Sequence, residues 1–439
     1  MIFSVRKWAF PHICLLAFAA GIFWRFYYLF VQHPIERFLF SDMKAYADAA
    51  LRNFAPAYFP SVLDTIHPPG MALVFGFFLH WDPSYLLLKI VQFILSVSTP
   101  VFAGLAGFYF YGSFVGWLVL AISSIYFPFI GYSANFLAEG PLIAFYALAL
   151  CLLGRGLKKE DSPRKFHFFV AAGMAFGLGA SFKSIAMHAG VAIGLVLLFW
   201  GTKFRETVFR KAGQSLLMGI FLVVLPLSLR CTYLSGGNFC AVANDFSRGL
   251  VIVYRDTKGM VRWKTPAADV LFGSPVTYQE GFHDTIEVPF SVLNNKKNIL
   301  YAWNWIGRHP LGAVKKALTQ ITYLVSPTTP FPFVDSFARN MARFYLWFFL
   351  LFLFVPVLLQ GFFSVRRREM KTILLLAPFL TLLLAVMLCG GEPRYRIAHD
   401  LFLILPACAF YSRAWEKLTS WLVPLRAHRR DLLEAPCSL

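Results

Sequence analysis

"PPGMALVFGFFL", residues 68–79, is apolar enough for a membrane but short. As a helix rising 1.5 Å per residue it reaches about 18 Å, less than the roughly 30 Å hydrocarbon core of a bilayer. How it is counted decides the fold. If it is a span, every later basic cluster changes sides. If it is left out and the N-terminus is inside, Arg6-Lys7, Arg155 to Lys165, Lys203 to Lys211, Arg366 to Lys371 and Arg426 to Arg430 all fall on the cytoplasmic side. The stretch is therefore expected to be a re-entrant or interfacial helix.

Outward from it, bilayer-length apolar runs lie near 8 to 31, 84 to 111, 113 to 131, 135 to 154, 166 to 181, 184 to 201, 212 to 230, 343 to 364, 371 to 389 and 399 to 422. The expected fold is an all-α polytopic membrane protein of about ten transmembrane helices. Juxtamembrane helices and one long loop belong to its outer face. Three regions follow: an N-terminal transmembrane module, 1–230, with a first outer loop at 32–83; the large outer loop, 231–342; and C-terminal helices with a short cytoplasmic tail, 343–439. Composition agrees, with 58% hydrophobic and only 14% charged residues and a mean hydropathy of +0.61. The net charge of +19 resides largely in clusters between apolar runs, which excludes nucleic acid as the partner. Residues 1 to 20 resemble a secretory signal peptide, but the apolar pattern resumes through Trp24 and Phe30, so a retained first span is expected.

Seven cysteines are scattered without metal-ligand spacing. Cys14, Cys151, Cys389 and Cys408 sit in or near apolar runs, whereas Cys231 and Cys240 lie close together in the long polar region and can pair if it faces an oxidising compartment.

Polar chemistry collects on the outer side. In "FSDMKAYADAALRNF", residues 40–54, Met43, Tyr46, Ala47, Ala50 and Phe54 share one helical face, while Lys44, Asp48 and Arg52 recur on another. Asp48 lies between basic neighbours and reads as a surface ion-pair residue. Asp42 has no such partner and is either a helix cap or a catalytic carboxylate. His67 precedes the two prolines of the short run, where a turn also accounts for it. Glu139 stands at an outer span mouth, where it also complements a helix dipole. Lys183 is a lone cation between two spans and can equally snorkel. Arg394, Arg396 and His399 precede the last run, an outer-face excess of cations that asks for an anionic partner such as a lipid phosphate.

These pieces resemble the GT-C superfamily of membrane glycosyltransferases, in the branch of protein O-mannosyltransferases and bacterial lipid A aminoarabinose transferases. The matching motifs are "SDMKAY", "HPPG", "AEGPLIAFYALAL", "GLGASFKSIAM", "WIGRHPLGAVKKAL" and "EPRYRIAHDLFLILP", in order from one end of the chain to the other. The resemblance implies inverting transfer of one sugar from a polyprenyl-phosphate donor to a lipid, glycan or protein acceptor. It maps the catalytic acid onto Asp42 and a second acidic position onto Glu139. Lys183, Arg394, Arg396 and His399 are the expected donor-phosphate ligands, and His67, Tyr46 and Tyr395 the expected substrate contacts. The family often carries a soluble domain after its last span, where this chain has only residues 423 to 439.

A divalent metal is the one possible cofactor; His67 and Glu139 are candidate ligands, although two donors do not make a site. The expected location is a bacterial inner membrane with the site facing the periplasm, or else the endoplasmic reticulum membrane. Two rivals stand beside this reading: a surface-polysaccharide ligase or polymerase, and a lipid-linked sugar transporter or flippase. A transporter should bury ionisable groups mid-bilayer and show paired broken helices. Residues 244 to 259 are expected to hold a short strand pair, and Trp303 to Ile321 an interfacial helix over the site.

Overall fold

The computed structural model describes residues 2–39, 42–55, 60, 62–158, 165–244, 246–255, 260–263, 285–288, 294–325, 336–391 and 393–433. Helices dominate. The first half contains α1 (Ile2–Tyr27), α2 (Asp42–Asn53), α3 (Gly76–Trp81), α4 (Leu86–Tyr111), α5 (Ser113–Ile125), α6 (Phe127–Ala134), α7 (Glu139–Lys158), α8 (Lys165–Phe182), α9 (Ile185–Lys203) and α10 (Thr207–Leu234). After α11 (Phe246–Val253) come α12 (Asn295–Arg308), α13 (Pro310–Val325), α14 (Ser336–Phe348), α15 (Val355–Arg367), α16 (Met370–Cys389), α17 (Pro393–Ile397) and α18 (Asp400–Leu433). A small parallel pair, β1 (Met260–Trp263) with β2 (Thr285–Val288), sets Met260 opposite Thr285.

Among the described residues, eight helical stretches are long and apolar enough to cross a membrane, the longest being Arg339–Arg367, and the bent pair α5–α6 makes a ninth if taken as one span. The tenth expected span lies on α18, whose residues Leu401 to Ala409 are buried. Arg413, Glu416 and Lys417 make the middle of that helix more polar than the others. The run read as one span, 113 to 131, is broken at Tyr126 by 48°. Pro128 in the first turn of α6 starts a new helix there.

A break inside an apolar bundle frees carbonyls that water cannot reach. Here they are taken up by side chains. Arg25 of α1, fully buried, donates to the carbonyls of Ser123 (3.0 Å) and Ser124, to that of Gly21 (3.1 Å) and to Ser96 Oγ (2.9 Å). The Tyr345 hydroxyl caps Ile125 O at 2.7 Å. Close backbone contact joins α8 to α10, where Gly173 meets the Leu216 carbonyl and Gly219 that of Val170; a methyl on either would collide.

Basic helix ends gather at one pole. Lys158 Nζ lies 3.9 Å from the Phe108 ring centre and Lys371 Nζ donates to Phe110 O at 2.9 Å, so the ends of α7 and α4 and the start of α16 are neighbours. The short apolar run forms an eleven-residue helical segment, Met71–Trp81, that cannot cross a bilayer, as expected. It packs on α2, with Gly76 against Ala50 and Phe54. On α2 itself Met43, Ala47 and Ala50 are buried, whereas Lys44, Asp48 and Arg52 are exposed.

In the long polar region one expectation changes and another is settled. Residues 246 to 253 form α11 rather than a strand pair, because Leu250, Val253 and Tyr254 recur at helical spacing and pack with Ala302 and Ala313. The β-branched run there misleads, since strand preference is set mainly by packing partners. Cys231 and Cys240 form a disulfide with Cα atoms 5.5 Å apart.

Candidate active site

Five segments converge at the pole opposite the basic ends. α2 supplies Asp42 and Tyr46, the turn before Met71 supplies His67, the first turn of α7 supplies Glu139, the α8–α9 junction supplies Lys183, and α17 supplies Arg394 and Tyr395. Local packing explains the convergence. Gly70 lies against the Ser181 carbonyl, which leaves no room for a Cβ and brings the His67 turn against the Lys183 junction. The ring of Tyr46 meets that of His67 edge-on at 5.3 Å.

Two ion pairs span the cluster. Arg394 Nη1 donates to Asp42 Oδ2 at 2.9 Å, and Lys183 Nζ to Glu139 Oε1 at 2.5 Å. Tyr395 lies between them. Lys183 Nζ is 4.3 Å from its ring centre, and Arg394 Nη2 donates to its hydroxyl at 3.3 Å. Asp42 is thus not a simple helix cap: it is the first residue of α2 but holds an arginine far along the chain.

Electrostatics sort the protonation states. Burial pushes the Asp42 carboxyl up, but the charge and hydrogen bond of Arg394, with the charge of Arg248, outweigh it and hold it below the usual carboxylate range. Burial lowers His67 from 6.5 to about 4, assisted by the cations Arg248, Arg394 and Lys183 against the opposing pull of Asp42, so His67 is neutral at pH 7. Burial raises the Tyr46 phenol, and the charges of Asp42 and Glu139 both reach it and raise it further. An ionised carboxylate, a neutral imidazole and a protonated phenol face the same space.

Arg248 is the member that sequence reasoning missed. It stands alone on α11 among apolar residues, with no cluster or motif to mark it. A polar network carries it to the site. Asn244 bonds Thr65 Oγ1 (2.9 Å) and Ser235 Oγ (2.8 Å), Asn295 bonds Asn244 (2.9 Å), and Ser247 bonds Asn295 (2.6 Å). The segment before His67, the end of α10, α11 and α12 are thereby tied together.

Two expected phosphate ligands are placed elsewhere. Arg396 is fully buried, donating to Asp400 Oδ1 at 3.1 Å and lying 3.4 Å from the Phe349 ring centre. His399 is buried against Tyr146, their polar atoms 3.2 Å apart. The helical repeat of α17 sends Arg394 and Tyr395 toward the site and Arg396 into the bundle, and His399 lies beyond it in the turn before α18. As for a metal, no three His, Cys, Asp or Glu side chains among the described residues lie close enough together to hold one. Asp42 and Glu139 are each already paired with a cation, so the residues present do not fit a metal centre.

Taken together, the candidate spans, the short apolar segment packed on α2 and the polar cluster at one pole define a polytopic helical membrane protein, and its fold is shared with solved oligosaccharyltransferases. Solved structures with this fold include the archaeal oligosaccharyltransferase AglB from Archaeoglobus fulgidus, in complex with an inhibitory peptide and a dolichol-phosphate. It superposes with a TM-score of 0.54 at 14% identity, covering 96% of this chain and 52% of that one. The apo form of the Archaeoglobus fulgidus oligosaccharyltransferase gives 0.53 at 13% identity over 97% and 52%, and its complex with Zn and sulfate 0.51 at 12% over 94% and 51%. The likeness is one of fold, and the chain spans about half the length of these structures. No protein-family profile matches the chain, and no curated protein is detectably similar in sequence.

Proposed function

We propose that the protein is a glycosyltransferase that moves a single sugar from a polyprenyl-phosphate donor to an acceptor hydroxyl or amine, with inversion, on the outer face of the membrane, akin to the branch named above. The observation that carries this reading is the meeting of Asp42 and Glu139 with Arg394, Lys183 and Arg248 at the pole away from the basic helix ends. Asp42, ionised and partly exposed, takes the acceptor proton as the acceptor atom bonds to the anomeric carbon. The bond from that carbon to the phosphate oxygen breaks, and the oxygen keeps the electron pair. Arg394, Arg248 and Lys183 stabilise the charge that grows there. Glu139 orients Lys183, and His67, Tyr46 and Tyr395 contact the substrate.

The dolichol-phosphate bound by the archaeal neighbour supports a polyprenyl-phosphate donor. The Cys231–Cys240 disulfide, at the end of α10 that bears the site, supports placing this pole in a non-reducing compartment, either the periplasm or the lumen of the endoplasmic reticulum. A second reading, transfer of a preformed glycan, is favoured by the neighbour being an oligosaccharyltransferase.

The test is transfer of radiolabelled sugar from polyprenyl-phosphate donors to a lipid and protein extract, with lipid-linked oligosaccharide run in parallel. Asp42→Asn is expected to lower transfer by about 10²- to 10⁴-fold with donor binding kept. Label moving only from the oligosaccharide donor would establish the second reading, and unchanged transfer in the variant would remove Asp42 from the chemistry.

A further inference from the structure

Both carboxylates of the site are held by the same cations that a phosphate would need. Arg394 bonds Asp42 through Nη1 and Tyr395 through Nη2, while Lys183 bonds Glu139 and rests on the Tyr395 ring. Both pairs have a member open to exchange, for 36% of the Asp42 side chain and 23% of the Lys183 side chain is exposed. The Arg396–Asp400 pair differs: both side chains are fully enclosed, with Tyr126 bonding Asp400 at 2.7 Å, so no ligand can reach it.

We propose that the two ion pairs are a resting state that the donor phosphate dissolves, drawing Arg394 from Asp42 and Lys183 from Glu139, so that the base is uncovered only in the donor-loaded enzyme. The inference rests on the reading of this site as a sugar transferase with a phosphate-linked donor. Its consequence is an order of events, donor before acceptor, that also keeps an uncovered base away from an empty site.

Charge and geometry favour the exchange. Arg248 joins Arg394 and Lys183 near the two carboxylates, so cations from three segments face the place where a phosphodiester anion would enter. The guanidinium fork matches two phosphate oxygens better than it matches one carboxylate oxygen and a phenol. The reaction then reinforces the new pairing. When Asp42 accepts the acceptor proton it becomes neutral and no longer competes for Arg394. At that moment the departing phosphate gains its second negative charge. Tyr395 touches both cations, so movement of one is felt by the other.

The experiment measures binding of a radiolabelled polyprenyl monophosphate, the leaving group itself, to the full-length protein in nanodiscs. A carboxylate that competes for Arg394 weakens binding, whereas one that merely holds Arg394 in place strengthens it. Asp42→Asn and Glu139→Gln are therefore each expected to bind the phosphate about tenfold tighter than wild type, and Arg394→Gln at least tenfold weaker. Equal or weaker binding by the two carboxylate variants, with circular dichroism unchanged, overturns the exchange and leaves the transferase reading standing. Should Asp42→Asn fail to fold, Glu139→Gln decides the matter through the second pair. No binding by wild type removes the transferase reading, and the exchange with it.

Discussion

Asp42 is held ionised by residues far from it in the chain, and burial, assisted by the same cations, keeps His67 uncharged. The sign of the pH dependence follows from the direction of each shift. The His67 pKa falls from 6.5 to about 4, so the unfolded chain binds the proton more readily. The contribution of His67 is complete above pH 6.5 and is lost as pH falls toward 4, reaching a cost of about 2 kcal/mol at about pH 5. Asp42, held below the usual carboxylate range by Arg394, loses its contribution only under more acid conditions, as pH falls through its own lowered value. Thermal unfolding between pH 7 and 5 should therefore steepen with acid in the wild type and flatten in His67→Gln; equal slopes would mean that His67 is not buried as neutral imidazole. At this scale the sequence was informative where a residue carried an unusual address. Asp42, Glu139, Lys183 and Arg394 were legible as polar residues at outer span mouths. Arg248 was not, because its role depends on a hydrogen-bond network among Thr65, Ser235, Asn244, Ser247 and Asn295 that no local spacing encodes. Arg396 and His399 shared the address of Arg394; the rotation of a five-residue helix separates Arg396 from it, and His399 falls in the turn that follows.

The elements show which apolar runs are straight and which are not. Hydropathy windows located the long helices closely, because a bilayer-length apolar run has few alternatives to a spanning helix. The windows did not find the break at Tyr126, since both sides of it are equally apolar. That break explains the buried charge of Arg25, the sort of residue that by itself would suggest a transport path. Its guanidinium is committed to the Gly21, Ser123 and Ser124 carbonyls and the Ser96 hydroxyl. Arg25→Met is thus expected to orphan carbonyls that have no water to turn to, lowering stability by about 3 to 5 kcal/mol. Chemical denaturation of the detergent-solubilised protein measures this. A loss below about 1 kcal/mol would show that the α5–α6 bend holds without its arginine cap.

Over the whole molecule, one pole is basic, the other holds the site, and the helices α12 and α13 leave an apolar stripe uncovered. Ala302, Ala313, Ala317 and Leu324 are buried, but Leu311 is 85% and Trp303 62% exposed, and Leu300, Val314 and Leu318 lie beside them at helical spacing. Exposed Lys296, Lys297, Arg308 and Lys315 flank that stripe. An amphipathic pair of this kind is expected to lie in a headgroup layer, with its apolar side among acyl chains and its cations at anionic lipid phosphates. Gln320 ties α13 to the residues just after α16 by accepting from Gly391 N at 2.8 Å. The pair would thereby hold Arg248 and the site at the depth where a polyprenyl phosphate presents its headgroup. Nitroxides placed by Leu311→Cys, Val314→Cys and Leu318→Cys, in a protein whose free cysteines are replaced, should in nanodiscs collide more with oxygen than with a water-soluble nickel chelate. A label at Lys296→Cys should show the reverse. Chelate contact at all four positions would put the stripe in water, and protection from both reagents would mean that another protein surface covers it.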